Sequence, residues 1–146
     1  MPGIVVGVDG SSHSQRALEW AINEAAVRHA PLTIVTVHQL IAGYSGRGVA
    51  YPGDSEAAER AGQAAKEEAD KILEGMGESR PASVTVDSRS GFPAEELLNA
   101  SRDADMIVLG SRGAGGFAQL MLGSVSHQVT HHAHCPVVIV PPEERH

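Results

Sequence analysis

Five short segments of the chain are rich in valine and isoleucine, and each gap between them is long enough to hold a helix. Continuous apolar runs occur at residues 4–6 and 106–109, within the first and fourth of these segments. Continuous apolar strands are typical of a parallel sheet that is covered on both faces, so these two are expected at its centre. The predicted strands are Gly3 to Val8, Leu32 to Val37, Ala82 to Val86, Asp105 to Leu109 and Val137 to Val140.

The segment after the first strand carries the start signal and the periodicity of a helix. In Ser12-His13-Ser14-Gln15, a serine stands where the helix begins and a glutamine follows three residues later, so the two can satisfy the first free amides. Leu18, Ile22 and Ala25 then recur at helical spacing and share one face. The spacing predicts a first helix that packs this face on the sheet.

Helical patterns also fill the other gaps. One runs from Asp54-Ser55 to about Met76, another begins at Pro93 with Glu95 and Glu96 in its first turn, and a fourth begins at Ser124. Strands and helices therefore alternate along the chain. This order predicts a single α/β domain with a parallel sheet, right-handed crossovers and helices on both faces.

The segment from Ile41 to Gly53 interrupts that order. It contains four glycines and Pro52 and separates the second strand from the second helix. Long loops are often functional, so a mobile lid over a ligand is one interpretation. A plain flexible connection is the other, and the sequence does not decide between them.

Glycine is unusually dense after the fourth predicted strand. The segment Gly110-Ser111-Arg112-Gly113-Ala114-Gly115-Gly116 follows it directly, and Gly123-Ser124 opens the next helix. Without a Cβ atom, glycine reaches φ > 0 and lets successive N–H groups face one anion. The first turn of the helix adds free amides and the positive end of the helix dipole. The segment predicts a phosphate site, and a turn that only connects strand to helix is the alternative.

Two common phosphate motifs are not satisfied. The chain has no GxxxxGK sequence followed by Ser or Thr, which would supply the lysine and the Mg²⁺-binding hydroxyl of a P-loop. Residues 113–118 fit the pattern GxGxxA, but no acidic residue stands on a strand about 20 positions later, as a dinucleotide fold requires. A dinucleotide site is therefore not favoured.

Composition narrows the possible partners. The 146 residues carry 18 acidic and 11 basic side chains, a net charge of -7, with one Trp, two Tyr and two Phe, so no nucleic-acid partner is expected. No apolar run approaches the roughly 20 residues of a membrane span, so no membrane partner is expected either. The lone Cys135 cannot form an internal disulfide, and Met1-Pro2 is not followed by a basic leader segment. Both observations predict a cytoplasmic protein.

These residues resemble the universal stress protein family, in its ATP-binding subclass. The pattern Gly110-x2-Gly113-x9-Gly123-Ser124 is similar to the ATP-binding signature of the family, and it follows the fourth strand as it does there. The resemblance extends to residues 4–11 and to Cys135-Pro136-Val137-Val138-Ile139-Val140. It implies an open five-stranded sheet of order 3-2-1-4-5, a Rossmann-like fold of the adenine nucleotide alpha hydrolase type. Residues 1–142 would form the nucleotide-binding domain, and residues 143–146 a flexible tail.

The resemblance also implies a site. Val8, Asp9, Gly10 and Val37 would line the nucleoside, with backbone contacts from Val37 to adenine. The phosphates would be held by Gly110, Gly113, Gly123, Ser124, Val125 and Ser126. Asp9 could instead cap the turn before the first helix. Arg112 could assist the phosphates or stay in solvent. Because the chain is acidic, Mg²⁺ or Mn²⁺ on the phosphates, with Asp9 as a possible ligand, is expected to compensate their charge.

The function implied is an ATP-binding or AMP-binding regulatory or stress-response switch, read by an unknown protein partner, with little or no turnover. A slow metal-dependent ATP hydrolase that uses Asp9, and a dimeric interaction module without nucleotide, are the alternatives. As in the family, the edge strand Val137 to Val140 is expected to pair across a homodimer. Cys135 with His131, His132 and His134 suggests a metal site, but consecutive helical histidines point about 100° apart and do not converge easily.

Overall fold

A computed structural model of the chain describes residues 3–44, 46–112 and 123–142. Strands and helices alternate as the hydrophobic pattern predicts. The strands of the main sheet are β1 (Ile4–Gly7), β2 (Pro31–Gln39), β5 (Ser83–Gly91), β6 (Met106–Gly110) and β7 (Val137–Val140), and a small separate pair consists of β3 (Ile41–Ala42) and β4 (Gly48–Val49). The helices are α1 (Ser12–Arg28), α2 (Asp54–Glu74), α3 (Pro93–Ala100) and α4 (Ser124–His132).

In the described residues, the main sheet has five strands in the order β5-β2-β1-β6-β7, and all its pairs are parallel. Ile4 of β1 lies opposite Leu32 on one side and Met106 on the other. Counted over these five strands, the order is 3-2-1-4-5, so the predicted Rossmann-like α/β class is confirmed. β1 and β6, which were expected at the centre, are buried throughout and lie inside the sheet.

Alternate residues of the central strands enter two separate hydrophobic cores. Ile4 and Val6 of β1 pack with Leu18 and Ile22 of α1 and with alanines of α2. Val5, on the opposite face, joins the core to which α3 and α4 contribute. A period of two residues in a strand sends successive side chains to opposite faces, which explains why both faces of β1 need apolar residues. The helices therefore cover both faces of the sheet.

The start of α1 lies one residue earlier than the sequence pattern suggests. Ser11, not Ser12, is the N-cap: its backbone is extended, and its hydroxyl accepts the N–H of Ser14 at 3.2 Å. Gln15 donates its N–H to the Ser11 carbonyl at 3.1 Å, as a residue of the first turn does. The predicted cap at Ser12 is therefore wrong, because three serines within four positions offer alternative caps and only backbone geometry selects one.

Two strands are longer than predicted, and the segment after β2 is not a simple loop. β5 continues through polar residues to Gly91, which an edge strand tolerates because part of its surface faces solvent. After β2, the short strands β3 and β4 pair antiparallel, with Ile41 opposite Val49. Gly46, at φ 76, supplies a backbone conformation that favours glycine in the turn between them. No helix in the described part of the chain is long and apolar enough to cross a membrane.

Candidate functional site

A cavity of about 340 Å³ opens at the carboxyl ends of β1, β2 and β6. Open parallel sheets bind ligands at the carboxyl ends of their strands, at the point where the strand order reverses. In this sheet β1 and β6 flank that point. The volume lies within the range of small-molecule sites. Nine of the predicted site residues line this cavity: Val8, Asp9, Val37, Gly110, Arg112, Gly123, Ser124, Val125 and Ser126.

Two other predicted residues differ from this group. Gly10 is not part of the cavity lining; its φ of 83 forms the turn between β1 and α1. Gly113 lies outside the described residues. Gly10 thus shapes the turn that leads into α1 without lining the cavity, whereas Gly110 lines it.

One side of the cavity is apolar and contains residues that the sequence analysis did not identify. Val35 ends the part of β2 that pairs with β1, Leu109 lies on β6, and Pro93 and Leu97 come from α3. Leu97 and Leu109 are buried. Gly7 lies between them, since a Cβ on it would stand 2.9 Å from Leu97 Cδ2 and 2.8 Å from Leu109 Cδ2. The amphipathic pattern of α3 was the available signal, but it could not show that the helix reaches this edge.

The backbone of Val37 faces the cavity because β1 ends before β2 does. The ladder between them finishes with the hydrogen bond from Val8 N–H to the Val35 carbonyl, at 3.0 Å. The N–H and C=O groups of a strand point alternately to its two sides, so those of Val37 point to the same side as those of Val35. There, β1 has already turned away into α1. Val37 thus presents one donor and one acceptor to the cavity that it lines.

The N-terminus of α4 forms the polar end of the cavity. Its N-cap is Gly123, and none of the described side chains caps the helix. Gly123 N–H donates to the Ser111 carbonyl at 2.7 Å, and the Ser126 hydroxyl donates to the Gly110 carbonyl at 2.7 Å. These two bonds anchor the helix start to the end of β6. The Ser126 hydroxyl is used in this anchor, which leaves the backbone amides of the first turn and the exposed Ser124 to meet a ligand.

Gly110 allows β6 and α1 to approach each other closely. A Cβ on this residue would lie 2.9 Å from the backbone oxygen of His13. Any larger residue must therefore displace either the first turn of α1 or the end of β6. The glycine that the sequence analysis assigned to phosphate binding thus also has a steric role within the fold.

Asp9 holds the turn that leads into α1. Its Oδ1 accepts the backbone N–H of Ser11 at 2.9 Å and the Ser11 hydroxyl at 2.6 Å, while its own N–H donates to the Ser14 hydroxyl at 3.2 Å. This geometry confirms the turn-capping role that the sequence allowed for Asp9. Asp9 also lines the cavity, together with Arg112. No group of three or more His, Cys, Asp or Glu side chains that could hold a metal ion occurs within the described residues.

Cys135 lies away from the cavity, against the core shared by α3 and α4. Burial raises the pKa of its thiol above the ordinary value, although a hydrogen bond involving Ser101 acts in the opposite direction. At neutral pH the sulfur is therefore protonated, and the thiolate needed for nucleophilic attack is scarce. A role for Cys135 as a nucleophile is therefore not favoured.

Comparison with known proteins agrees with this architecture. A universal stress protein of Mycobacterium tuberculosis H37Rv is 39% identical to this chain in an alignment 155 positions long. The alignment covers 98% of this chain and 49% of that protein. The chain thus spans about half the length of the curated relatives it matches.

Solved structures show the same fold. Universal stress protein UspA of Lactobacillus plantarum superimposes with a TM-score of 0.75 at 23% identity, over 95% of this chain and 97% of that one. A universal stress protein crystallised in complex with cAMP gives a TM-score of 0.68 at 26% identity, over 96% of both chains. The sequence also matches the Universal stress protein family over residues 2–141. The chain belongs to the universal stress protein family.

Proposed function

We propose that this chain binds an adenine nucleotide, ATP or AMP, and acts as a nucleotide-dependent regulatory switch in a stress response, with little or no turnover. One observation carries the proposal: apolar side chains and the N-terminus of α4, which none of the described side chains caps, line one cavity. A nucleotide has the matching polarity, with an apolar base at one end and anionic phosphates at the other.

The base fits the side of the cavity formed by Val35, Leu97 and Leu109. At its edge, the free backbone N–H and C=O of Val37 match adenine, whose N1 accepts a hydrogen bond and whose N6 amino group donates one. Guanine presents the reverse pattern, a carbonyl and an N–H, and would leave donor facing donor. An unmatched buried polar group costs about 1–3 kcal/mol. Adenine is therefore preferred over guanine by about tenfold to a hundredfold.

The phosphates fit the α4 end of the cavity. The amides of residues 124–126 and the positive end of the helix dipole are directed there, and Gly113 lies in the segment that precedes the helix. The chain is acidic overall, so bound phosphates need a cation nearby. Mg²⁺ or Mn²⁺ held between phosphate oxygens and Asp9, with support from Arg112, would supply it.

The same residues argue for a switch over an efficient hydrolase. Among the described residues that line the cavity, the carboxylate is Asp9, and it already accepts two hydrogen bonds from Ser11. Asp9 would have to leave those bonds to activate a water molecule as a general base. Slow metal-dependent ATP hydrolysis through Asp9 is the second candidate. Phosphate release that is abolished in Asp9→Asn while binding persists would favour it.

A similar protein of known structure supports the choice of ligand. The universal stress protein crystallised with cAMP is 26% identical to this chain over nearly its whole length. Cyclic AMP contains adenine and one phosphate, the two groups that the ends of the cavity suit.

Isothermal titration with ATP, AMP, cyclic AMP and GTP, each with and without Mg²⁺, tests the proposal. We expect micromolar binding of an adenine nucleotide, and GTP weaker by tenfold or more. The failure of all four ligands to bind to folded protein would overturn it and favour a dimeric interaction module without nucleotide.

We also propose that the chain forms a homodimer through β7 and acts in the cytoplasm on a protein partner. The carbonyls of Pro136 and Val140 accept hydrogen bonds from the β6 side, so by alternation the backbone groups of Val137 and Ile139 point away from the sheet. Ile139→Pro removes one N–H group that points away from the sheet and leaves the hydrogen bonds between β6 and β7 in place. Light scattering at tens of micromolar should give a dimer for the parent and a monomer for this variant; a monomeric parent contradicts the proposal.

A further inference from the structure

The exposed face of α4 carries two histidines one helical turn apart. His127 and His131 are four residues apart, and their ring centroids lie 4.4 Å from each other. Both side chains are exposed, whereas Ser126 and Val129 face the interior from the same helix. Residues at i and i+4 share one face of a helix, so both imidazoles project from the same strip of surface.

The separation of the rings suits a shared metal ion. Ring nitrogens that coordinate one ion at about 2.0–2.1 Å place the centroids of the two imidazoles about 4.5–5 Å apart, for ordinary coordination angles. The observed 4.4 Å is close to this value, so small rotations about the side-chain bonds are enough for chelation. Two histidines at i and i+4 are also the helical pair that binds zinc in metalloproteases.

Consecutive histidines on this helix do not offer the same geometry. The rings of His131 and His132 have centroids 6.4 Å apart, wider than the separation expected for two imidazoles at ordinary coordination angles on one ion. The set that the sequence suggested was Cys135 with His131, His132 and His134. In the structure, His131 lies closer to His127, which was not in that set, than to His132.

The surroundings also favour a cation. His131 lies in the last turn of α4, where the negative end of the helix dipole attracts positive charge. The whole chain carries a net charge of -7, which raises the local concentration of cations. The ion would be of a class that prefers imidazole, such as Cu²⁺, Ni²⁺ or Zn²⁺, and water would complete its coordination.

We propose that His127 and His131 form a surface binding site for a divalent transition-metal ion. Neither histidine lines the cavity, so this site is separate from the proposed nucleotide site. Mg²⁺ prefers oxygen ligands and should not bind there.

Titration calorimetry with NiCl₂ and ZnCl₂, on protein without a histidine tag and without nucleotide, tests the proposal at pH 7.5. We expect one ion per chain. His127→Ala and His131→Ala should each weaken binding by about tenfold or more, because the second ligand no longer benefits from the high effective concentration of a chelate. The double variant His132→Ala, His134→Ala is the matched control and should bind within about twofold of the parent.

A second measurement guards against effects on folding. Ni²⁺ should raise the thermal midpoint of the parent and of the control variant, but not that of His127→Gln or His131→Gln, and MgCl₂ should raise none of them through this site. The proposal is overturned if the parent binds no Ni²⁺ or Zn²⁺, if His127→Ala binds as the parent does, or if the control variant loses binding.

Discussion

Two helices, α1 and α4, begin at the same edge of the sheet, and their first turns are built differently. α1 follows β1 and is closed by its own side chains, because the Ser11 hydroxyl accepts the Ser14 N–H and is itself bonded to Asp9. α4 follows Gly123 and has no cap among the described side chains. Both helix starts contribute residues to one cavity. One positive helix end is satisfied within the fold, and under the proposed function the other receives the phosphates of the ligand.

The difference originates in residue type. Serine and aspartate side chains bond to nearby backbone amides and so favour capped turns. Residues 9–14, before and at the start of α1, contain one aspartate and three serines. Glycine has no side chain that could bond to those amides, and the N-cap of α4 is Gly123. A helix start with glycine at the N-cap forgoes roughly a few tenths of a kcal/mol relative to serine or aspartate, a cost that a bound phosphate can offset with charge-assisted hydrogen bonds. We therefore expect substitutions at the two helix starts to separate stability from binding.

Gly123→Asp should produce the largest effect on binding. Gly123 has φ -64 and ψ 160, which any residue can adopt, so aspartate can serve as the N-cap there. It would occupy the amides and place a negative charge where the phosphates are expected. Nucleotide binding should weaken by about a hundredfold, while the thermal midpoint stays the same or rises. Titration calorimetry and thermal unfolding measure the two effects.

The neutral cap Gly123→Asn is the control for charge in this experiment. It should weaken binding less than aspartate does, because it competes for the amides without repelling the phosphates. Undiminished ATP binding in Gly123→Asp would show that the α4 N-terminus is not the phosphate site, and the contrast between the two helices would then have no bearing on ligands.

Gly110→Ala should be the most destabilising of these changes. The new Cβ would lie 2.9 Å from the His13 oxygen, so α1 and β6 must separate or distort. Overpacking of this kind costs about 1–3 kcal/mol, and the cavity between the two helix starts should change shape with it. Denaturant unfolding gives the stability change, and titration with ATP gives the loss of binding.

Gly75→Ala is a suitable comparison for that variant. Gly75 ends α2 with a right-handed backbone, and the nearest atom to an added Cβ is 3.6 Å away, an ordinary contact. It should leave both stability and binding near the parent values. A Gly110→Ala protein that is as stable as Gly75→Ala would contradict the close approach described for α1 and β6.

Ser11→Ala should lower stability and leave nucleotide binding nearly unchanged. It removes the hydroxyl that caps α1 and one of the two bonds from Ser11 to Asp9. Loss of an N-cap costs about 1 kcal/mol, which corresponds to a fall of on the order of 4 °C in the thermal midpoint. Ser11→Thr, which keeps a hydroxyl, should recover most of this loss. If Ser11→Ala weakens ATP binding as strongly as Gly123→Asp does, the α1 start is part of the phosphate site and the contrast fails.

The hydrophobic pattern predicted more of the fold than of the site. Continuous apolar runs such as residues 106–109 identified the buried strands, because only a sheet covered on both faces needs them. Pro93 and Leu97, by contrast, reach the cavity through tertiary packing that no local spacing records. The free backbone of Val37 was indicated only by family resemblance, since it depends on where β1 stops. The β3–β4 pair was missed because two-residue strands have no periodicity to detect.

The smallest expected effect concerns α2, a helix start away from the cavity. Its N-cap Gly53 offers no side chain, and Asp54 in the first turn instead accepts the Tyr51 N–H and contacts His38 Nε2 at 2.8 Å. The hydrogen bond from the Tyr51 backbone, followed by that from His38, holds the pKa of Asp54 below its ordinary value. A lowered carboxyl pKa contributes stability above the pKa of the unfolded chain, about 3.9, and this contribution is lost as the pH falls through the folded value.

Asp54→Asn should therefore be less stable than the parent at pH 7, and the difference should shrink as the pH falls below about 4. Thermal midpoints between pH 7 and pH 3 measure this convergence. His38→Ala, which removes the second of the two contacts, should show the same trend at smaller amplitude. Because neither residue lines the cavity, ATP affinity at pH 7 should match that of the parent. A stability difference that stays constant down to pH 3 would mean that the Asp54 charge does not contribute, and would leave α4 as the helix start where charge matters.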